Sequence, residues 1–341
     1  MRDKKKTVIN SIIFISLIFI TYYVIFREQD LYELYQDIIK LNPIYLTVAA
    51  LLMLLFFSFE AFNVKSTLNK LNDKLTFKKA LGYTFICFLF SSITPGAAGG
   101  QPMEIYYLTK EKIKVSHSTI AILTHLLGAK VSGLLLGIIG YIIKPSILDH
   151  GLIYFFIIGS LFNAIPLTIS IVCIFYPKAA LKIVNGIVKL LKKLKIKNIE
   201  NIASKINAEL EVYQEGSDIM KTQKKQFIKV FIISNIQMVV SFIVPFFVYK
   251  SFGLSGISVW EFIIIQAVLH STVCSVPLPG AVGITETAFM LIYGLVYPSK
   301  LLQSALLANR FISFYLFVLI SLIVYIIIKL RLDKKSKKSI S

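Results

Sequence analysis

Apolar residues occur in long, nearly unbroken blocks, without the three-to-four-residue spacing of an amphipathic helix or the alternation of a half-buried strand. Six blocks have the length of a bilayer-crossing helix, which needs about 20 apolar residues. They run Val8–Phe26, Pro43–Asn63, Ser118–Ile143, Leu152–Tyr176, Phe227–Tyr249 and Gln303–Ile328. The first follows Arg2 and Lys4 to Lys6, but it exceeds a signal-peptide core and no small-residue cleavage site precedes Arg27. It reads as a retained anchor.

Two more apolar blocks are interrupted. Ala80–Thr94 meets Pro95-Gly96-Ala97-Ala98-Gly99-Gly100-Gln101-Pro102, and only the short run Met103–Leu108 follows. Ser258–Val276 meets Pro277-Leu278-Pro279-Gly280-Ala281-Val282-Gly283, followed by Ile284–Tyr297. Proline and glycine at this density end a helix. Within lipid, the freed backbone groups then need protein or water as partners.

Composition agrees with lipid as the solvent. Of 341 residues 56% are hydrophobic, and 37 Lys and Arg face 18 Asp and Glu, a formal charge of +19. So few charges leave a soluble enzyme without a water-facing surface. A disordered chain and a disulfide scaffold are excluded as well. Cys87, Cys173 and Cys274 lie inside apolar runs, without zinc spacing, and read as small buried hydrophobes. Neither a metal nor a cofactor is expected, and nothing suggests nucleic acid.

The cations fix an orientation. Segments 1–7, 64–79, 109–117, 177–229 and 329–341 hold 30 of the 37 Lys and Arg, which makes them cytoplasmic, both termini included. Segments 64–79 and 109–117 then share a side, so the chain between them must enter the bilayer and return. At about 1.5 Å per residue, Met103–Leu108 cannot cross a core about 30 Å thick. The expectation is a re-entrant hairpin over 80–108 open to the cytoplasm. Over 258–297 a second hairpin enters from outside, with two full helices as the alternative there. Hairpins entering from opposite faces mark an inverted repeat. Pro95–Gly99 and Pro279–Gly283 share Pro-Gly-Ala-x-Gly, and each is followed by a glutamate, Glu104 nine residues after its proline and Glu286 seven.

The expected fold is therefore an all-α polytopic membrane protein with about six full transmembrane helices and two opposed re-entrant hairpins. Residues 1–176 form one membrane half and 227–330 the other. Between them lies a basic, amphipathic cytoplasmic loop, 177–226, and a basic tail follows at 331–341. Lys192, Lys193, Lys195 and Lys197 would favour anionic inner-leaflet headgroups, although a plain topogenic loop has the same composition.

Ionisable residues inside spans carry the chemistry, because burying them is costly unless they pair or face water. Lys130 and Arg310 lie within spans. They form either a phosphate clamp or structural pairs with Glu104 and Glu286, and the two readings are compatible. Glu60 and Glu261 read as solvated helix ends, and His270 as bonded to a carbonyl. After each break a helix restarts inside the membrane, and its unpaired amides attract anions. Gly96, Gly99, Gly100, Gly280 and Gly283, beside Pro95 and Pro279, allow close backbone approach. An amphiphile with an anionic head fits this set.

The strings Ser92-Ile93-Thr94-Pro95-Gly96-Ala97-Ala98-Gly99-Gly100-Gln101-Pro102-Met103-Glu104 and Pro279-Gly280-Ala281-Val282-Gly283-Ile284-Thr285-Glu286, with Asn309-Arg310 downstream, resemble the flippase-like family. That family is the transmembrane region of lysylphosphatidylglycerol synthase, the multiple peptide resistance factor. The resemblance implies a bacterial or archaeal plasma-membrane protein that moves aminoacylated phosphatidylglycerol or polyprenyl-phosphate-linked lipids between leaflets. It points to Glu104, Glu286 and Arg310, whereas Lys130 rests on the residue reading alone. Full-length lysyl-lipid synthases continue into a soluble aminoacyltransferase domain, and this chain shows none before Ser341. A phosphatidylglycerol lysyltransferase and a scaffold for a separate lipid synthase are the competing expectations.

Overall fold

The computed structural model describes residues 31–148, 152–179, 212–273 and 279–338, with positions 182 and 186 besides. The expected first span, Val8–Phe26, and the lysines of 192–197 lie outside the described residues. What is described is all-helical.

Among the described residues five helices are long and apolar enough to span a bilayer, and they match the other five expected blocks. Helix α1, Leu31–Ile39, precedes the first of them, α2, Pro43–Lys70. The start of α2 follows from its sequence: the Asn42 side chain accepts from the Ile44 amide, and Pro43 occupies a position where its missing N–H costs nothing. Helix α3, Phe77–Ser92, and the short α4, Gly100–Thr109, pack on each other across a turn at Pro95–Ala97. Two long helices follow, α5, Val115–Ile143, and α6, Leu152–Phe175. A helical segment at 212–222, α7, leads into α8, Lys224–Ser251. Helices α9, Val259–Val273, and α10, Ile284–Tyr293, flank a second turn at Pro279–Ala281. The last span begins as α11, Leu302–Arg310, passes through a π-helical turn at Phe311–Tyr315 and continues as α12, Leu316–Lys338.

Small residues set the packing. Along α5, a Cβ on Gly137 would come within 1.9 Å of Ser271 Oγ, and one on Gly140 within 3.0 Å of the Ile264 carbonyl. Helices in lipid gain little by sequestering apolar surface, so backbones brought close by small residues supply the attraction. The interior also holds an aromatic cluster in which Phe57 contacts Phe85, Phe88 and Phe317. A second is formed by Tyr249, Phe262, Phe289, Tyr293 and Tyr297. Large apolar side chains such as Leu51, Ile142, Phe155, Leu161 and Ile323 face outward, as lipid contact requires.

Candidate functional site

The two interruptions meet. The Pro95–Ala97 turn packs on the Pro279–Ala281 turn, so residues almost two hundred positions apart come together. Their backbones match. Gly96 has φ 61° and Gly280 φ 59°, and the alanines that follow, Ala97 and Ala281, are also left-handed, at 57° and 49°. Alanine is uncommon there, because its Cβ crowds the carbonyl. Sequence similarity between the motifs therefore extends to an unusual conformation.

What surrounds each turn differs. Glu286, fully buried, is the third residue of α10, and its Oε2 accepts from the Gly283 amide at 2.7 Å. Its Oε1 accepts from Arg310 Nε at 2.7 Å, and Arg310 Nη2 donates to the Gly280 carbonyl at 3.2 Å. The guanidinium also stacks 4.7 Å over the Phe314 ring. Arg310 thus closes the last turn of α11 onto the second break, immediately before the π-helical turn. Gly283, at φ 92° and ψ −55°, holds a backbone shape that any side chain would strain.

At the first break Thr94 does the capping: its hydroxyl accepts from the Gly99 amide at 2.9 Å and donates to the Phe90 carbonyl at 2.6 Å. Gly100 lets α4 start against α3, since a Cβ there would lie 2.6 Å from the Cys87 carbonyl and 3.1 Å from its sulfur. Glu104 is buried, yet no Lys, Arg or His forms an ion pair with it among the described residues. Its carboxylate lies within 4.8 Å of the Cys87 sulfur.

Glu60 completes this pocket. Ligand atoms of Glu60, Cys87 and Glu104 lie within 4.8 Å of one another, the group of described residues able to hold a metal ion. Glu60 Oε2 is also 3.8 Å from His125 Nε2. The solvated-end reading of Glu60 is corrected here: it stands ten residues before the end of α2, and its side chain is only 19% exposed. Cys87 likewise is more than a small hydrophobe. Sequence spacing missed both because the four residues sit on four helices, and only the hydrophilic character of Glu60 and His125 within apolar runs signalled them.

Lys130 is half-buried on α5 and makes no ion pair among the described residues. Its charge faces His270, whose ring packs on Phe242. Glu261 is solvated, hydrogen-bonded to Ser258 and 3.3 Å from Lys144. Gly96, Ala97 and Ala98 are exposed, and Gly99 and Gly280 partly so. A separate groove of about 640 Å³ runs between α3 and α12. Its floor is Leu81, Gly82, Phe85, Val324 and Ile328, and Lys78, Lys79, Glu111 and Arg331 stand at its mouth. Lys79 pairs with Glu111, which also accepts from the Tyr83 hydroxyl at 2.7 Å.

Long apolar helices around paired Pro-Gly-Ala turns define a multi-pass helical membrane protein. The chain matches the family described as the lysylphosphatidylglycerol synthase TM region over residues 8–321, and it belongs to that family. It is also 23% identical over 308 residues to a UPF0104 membrane protein of Archaeoglobus fulgidus, a match covering 86% of this chain and 89% of that one.

Proposed function

We propose that this protein carries an anionic or aminoacylated phospholipid, or a polyprenyl-phosphate lipid, between the leaflets of the plasma membrane. The single observation behind this reading is the contact between the two turns, each opening a short helix within an apolar bundle. In it, 80–108 and 258–297 are re-entrant hairpins of an inverted repeat, with both termini cytoplasmic, and the two membrane halves rock about the turns.

Each part of the site has a task. The first turns of α4 and α10 offer amides to a phosphate, and the glycines keep the approach free of side chains. Lys130 supplies a cation that makes no ion pair among the described residues. Arg310, held by Glu286 and Gly280, exchanges part of that contact for the head of the lipid. Asn163 Oδ1, Gln237 Oε1 and Asn309 Oδ1 are buried without a protein partner among the described residues, which suits a polar path for a headgroup. The tails stay in hydrocarbon throughout. The groove between α3 and α12, apolar below and basic at its mouth, matches an amphiphile waiting at the cytoplasmic surface.

The test is a leaflet-asymmetry assay in liposomes holding the purified chain and a labelled anionic phospholipid. Wild type should accelerate exchange. Lys130→Ala should slow it roughly tenfold, equivalent to about 1.4 kcal/mol of lost headgroup attraction. Equal rates for empty liposomes, wild type and Lys130→Ala reject the proposal. Labelled lysine appearing in lipid would instead favour a transferase.

A further inference from the structure

The pocket beside the first turn is not used by the lipid reading, and it has a charge problem of its own. Glu60 and Glu104 place two carboxylates together inside the bundle, Glu104 only 2% exposed. Glu60 lies in the apolar block Pro43–Asn63, about 4.5 Å along α2 from its Asn63 end. Two carboxylates brought this close repel each other unless a cation lies between them. Glu286 obtains a countercharge from Arg310, whereas no described Lys or Arg reaches Glu60 or Glu104.

The neighbours determine which cation suits. The Cys87 sulfur lies within 4.8 Å of a carboxylate oxygen of Glu104 and of Glu60. His125, 8% exposed, sets Nε2 3.8 Å from Glu60 Oε2, an ion pair when the ring is protonated. Behind it, the Asn63 amide lies 3.5 Å from Nδ1 and donates to Ser234 Oγ at 3.2 Å, which fixes the ring. Two carboxylate oxygens, a sulfur and a flanking imidazole form a mixed donor set. Magnesium and calcium want oxygen alone, and borderline divalent ions of the zinc class accept all three donor types. Two carboxylates balance the 2+ charge, and the Cys87 thiolate leaves the unit with one negative charge, against two for the metal-free pair of carboxylates.

We infer that Glu60, Cys87 and Glu104 bind a divalent transition-metal ion of the zinc class, with His125 orienting Glu60 from behind. The ion ties α2, α3 and α4 together and does for the first turn what Arg310 does for the second. Glu60 is partly exposed, which gives the ion a way in. A thiolate ligand requires the Cys87 proton to leave for solvent as the metal enters.

The full chain is purified with a tag free of histidine, stripped with chelator and titrated with Zn²⁺ and with Co²⁺. One equivalent of Zn²⁺ per chain is expected, together with a thiolate-to-cobalt charge-transfer band when Cys173 and Cys274 are serine. Cys87→Ser should abolish that band, and Glu104→Gln should leave no stoichiometric Zn²⁺. His125→Gln, which keeps every ligand, should weaken Zn²⁺ by about 10-fold or more. Substoichiometric metal in wild type, or unchanged affinity in Cys87→Ser and Glu104→Gln, overturns the assignment. So does a carboxylic-acid infrared band that persists at neutral pH with Zn²⁺ present and disappears in Glu104→Gln, because a proton then fills the site. Should the variants fail to fold, the cobalt band decides, and its absence from the Cys87-only protein refutes the inference. None of these readouts depends on lipid movement, so either proposal can fail alone.

Discussion

The two turns share a backbone and differ in what neutralises their glutamates. Glu286 is the third residue of its helix, so its carboxylate folds back onto the Gly283 amide and meets Arg310 beyond it. Glu104 is the fifth residue of α4 and stands about half a helical turn further along. It cannot cap its own helix, and Thr94 performs that task. Its side chain points to Cys87 and Glu60 on neighbouring helices. A two-residue difference in spacing thus converts a self-contained cap and ion pair into an acidic pocket. The same loop motif is followed by a buried ion pair at one position and by a cluster of two carboxylates and a thiol at the other.

That contrast can be broken in order of expected effect. The largest belongs to Arg310→Ala, which strands a fully buried carboxylate. Breaking a buried pair by removing one partner costs about 3–5 kcal/mol. The thermal unfolding midpoint of the detergent-purified protein should drop sharply, while Glu104→Gln, which removes an unpaired charge in the metal-free protein, should leave it level or higher. A smaller fall for Arg310→Ala than for Glu104→Gln would reverse the roles assigned to the two turns.

Next comes Gly100→Ala. Its methyl group would press on the Cys87 backbone carbonyl, an atom that cannot swing away. Overpacking of this kind costs about 1–3 kcal/mol. The separation of α3 from α4, read by spin labels on their outer faces, should widen. An unchanged distance and midpoint would mean that the close start of α4 is dispensable.

The smallest effect tests the shared part. Ala97→Gly and Ala281→Gly relieve left-handed alanines at φ 57° and 49°. Since that conformation costs an alanine about 1–2 kcal/mol and glycine adds unfolded-state entropy, each change should raise stability by about 0.5–1 kcal/mol. Similar gains at both positions support equivalent turns. Opposite signs would show that the matching angles hide different environments.

Legibility varied with the range of the interaction. Spans and breaks were readable because they depend on composition over a stretch or on local backbone chemistry. Glu60 was misread as a solvated end, since its position in α2 says nothing about which helix faces it. The Lys130 reading remained a matter of chain depth, and its neighbour His270 emerged only when α5 packed on α9. No spacing rule connects residues 60, 87, 104 and 125, whose proximity requires four helices to assemble.

The amino-acid order by itself determined which stretches form helices long and apolar enough to cross a membrane, and where they stop. Bilayer thickness and the missing proline N–H act on contiguous residues, whatever the rest of the chain does. Tertiary structure alone decided that the two Pro-Gly-Ala turns touch, that Arg310 belongs to Glu286 and that Glu104 keeps company with Glu60 and Cys87. A countercharge acts over a few ångströms in a low dielectric, so the identity of each partner is fixed only when the helices have packed.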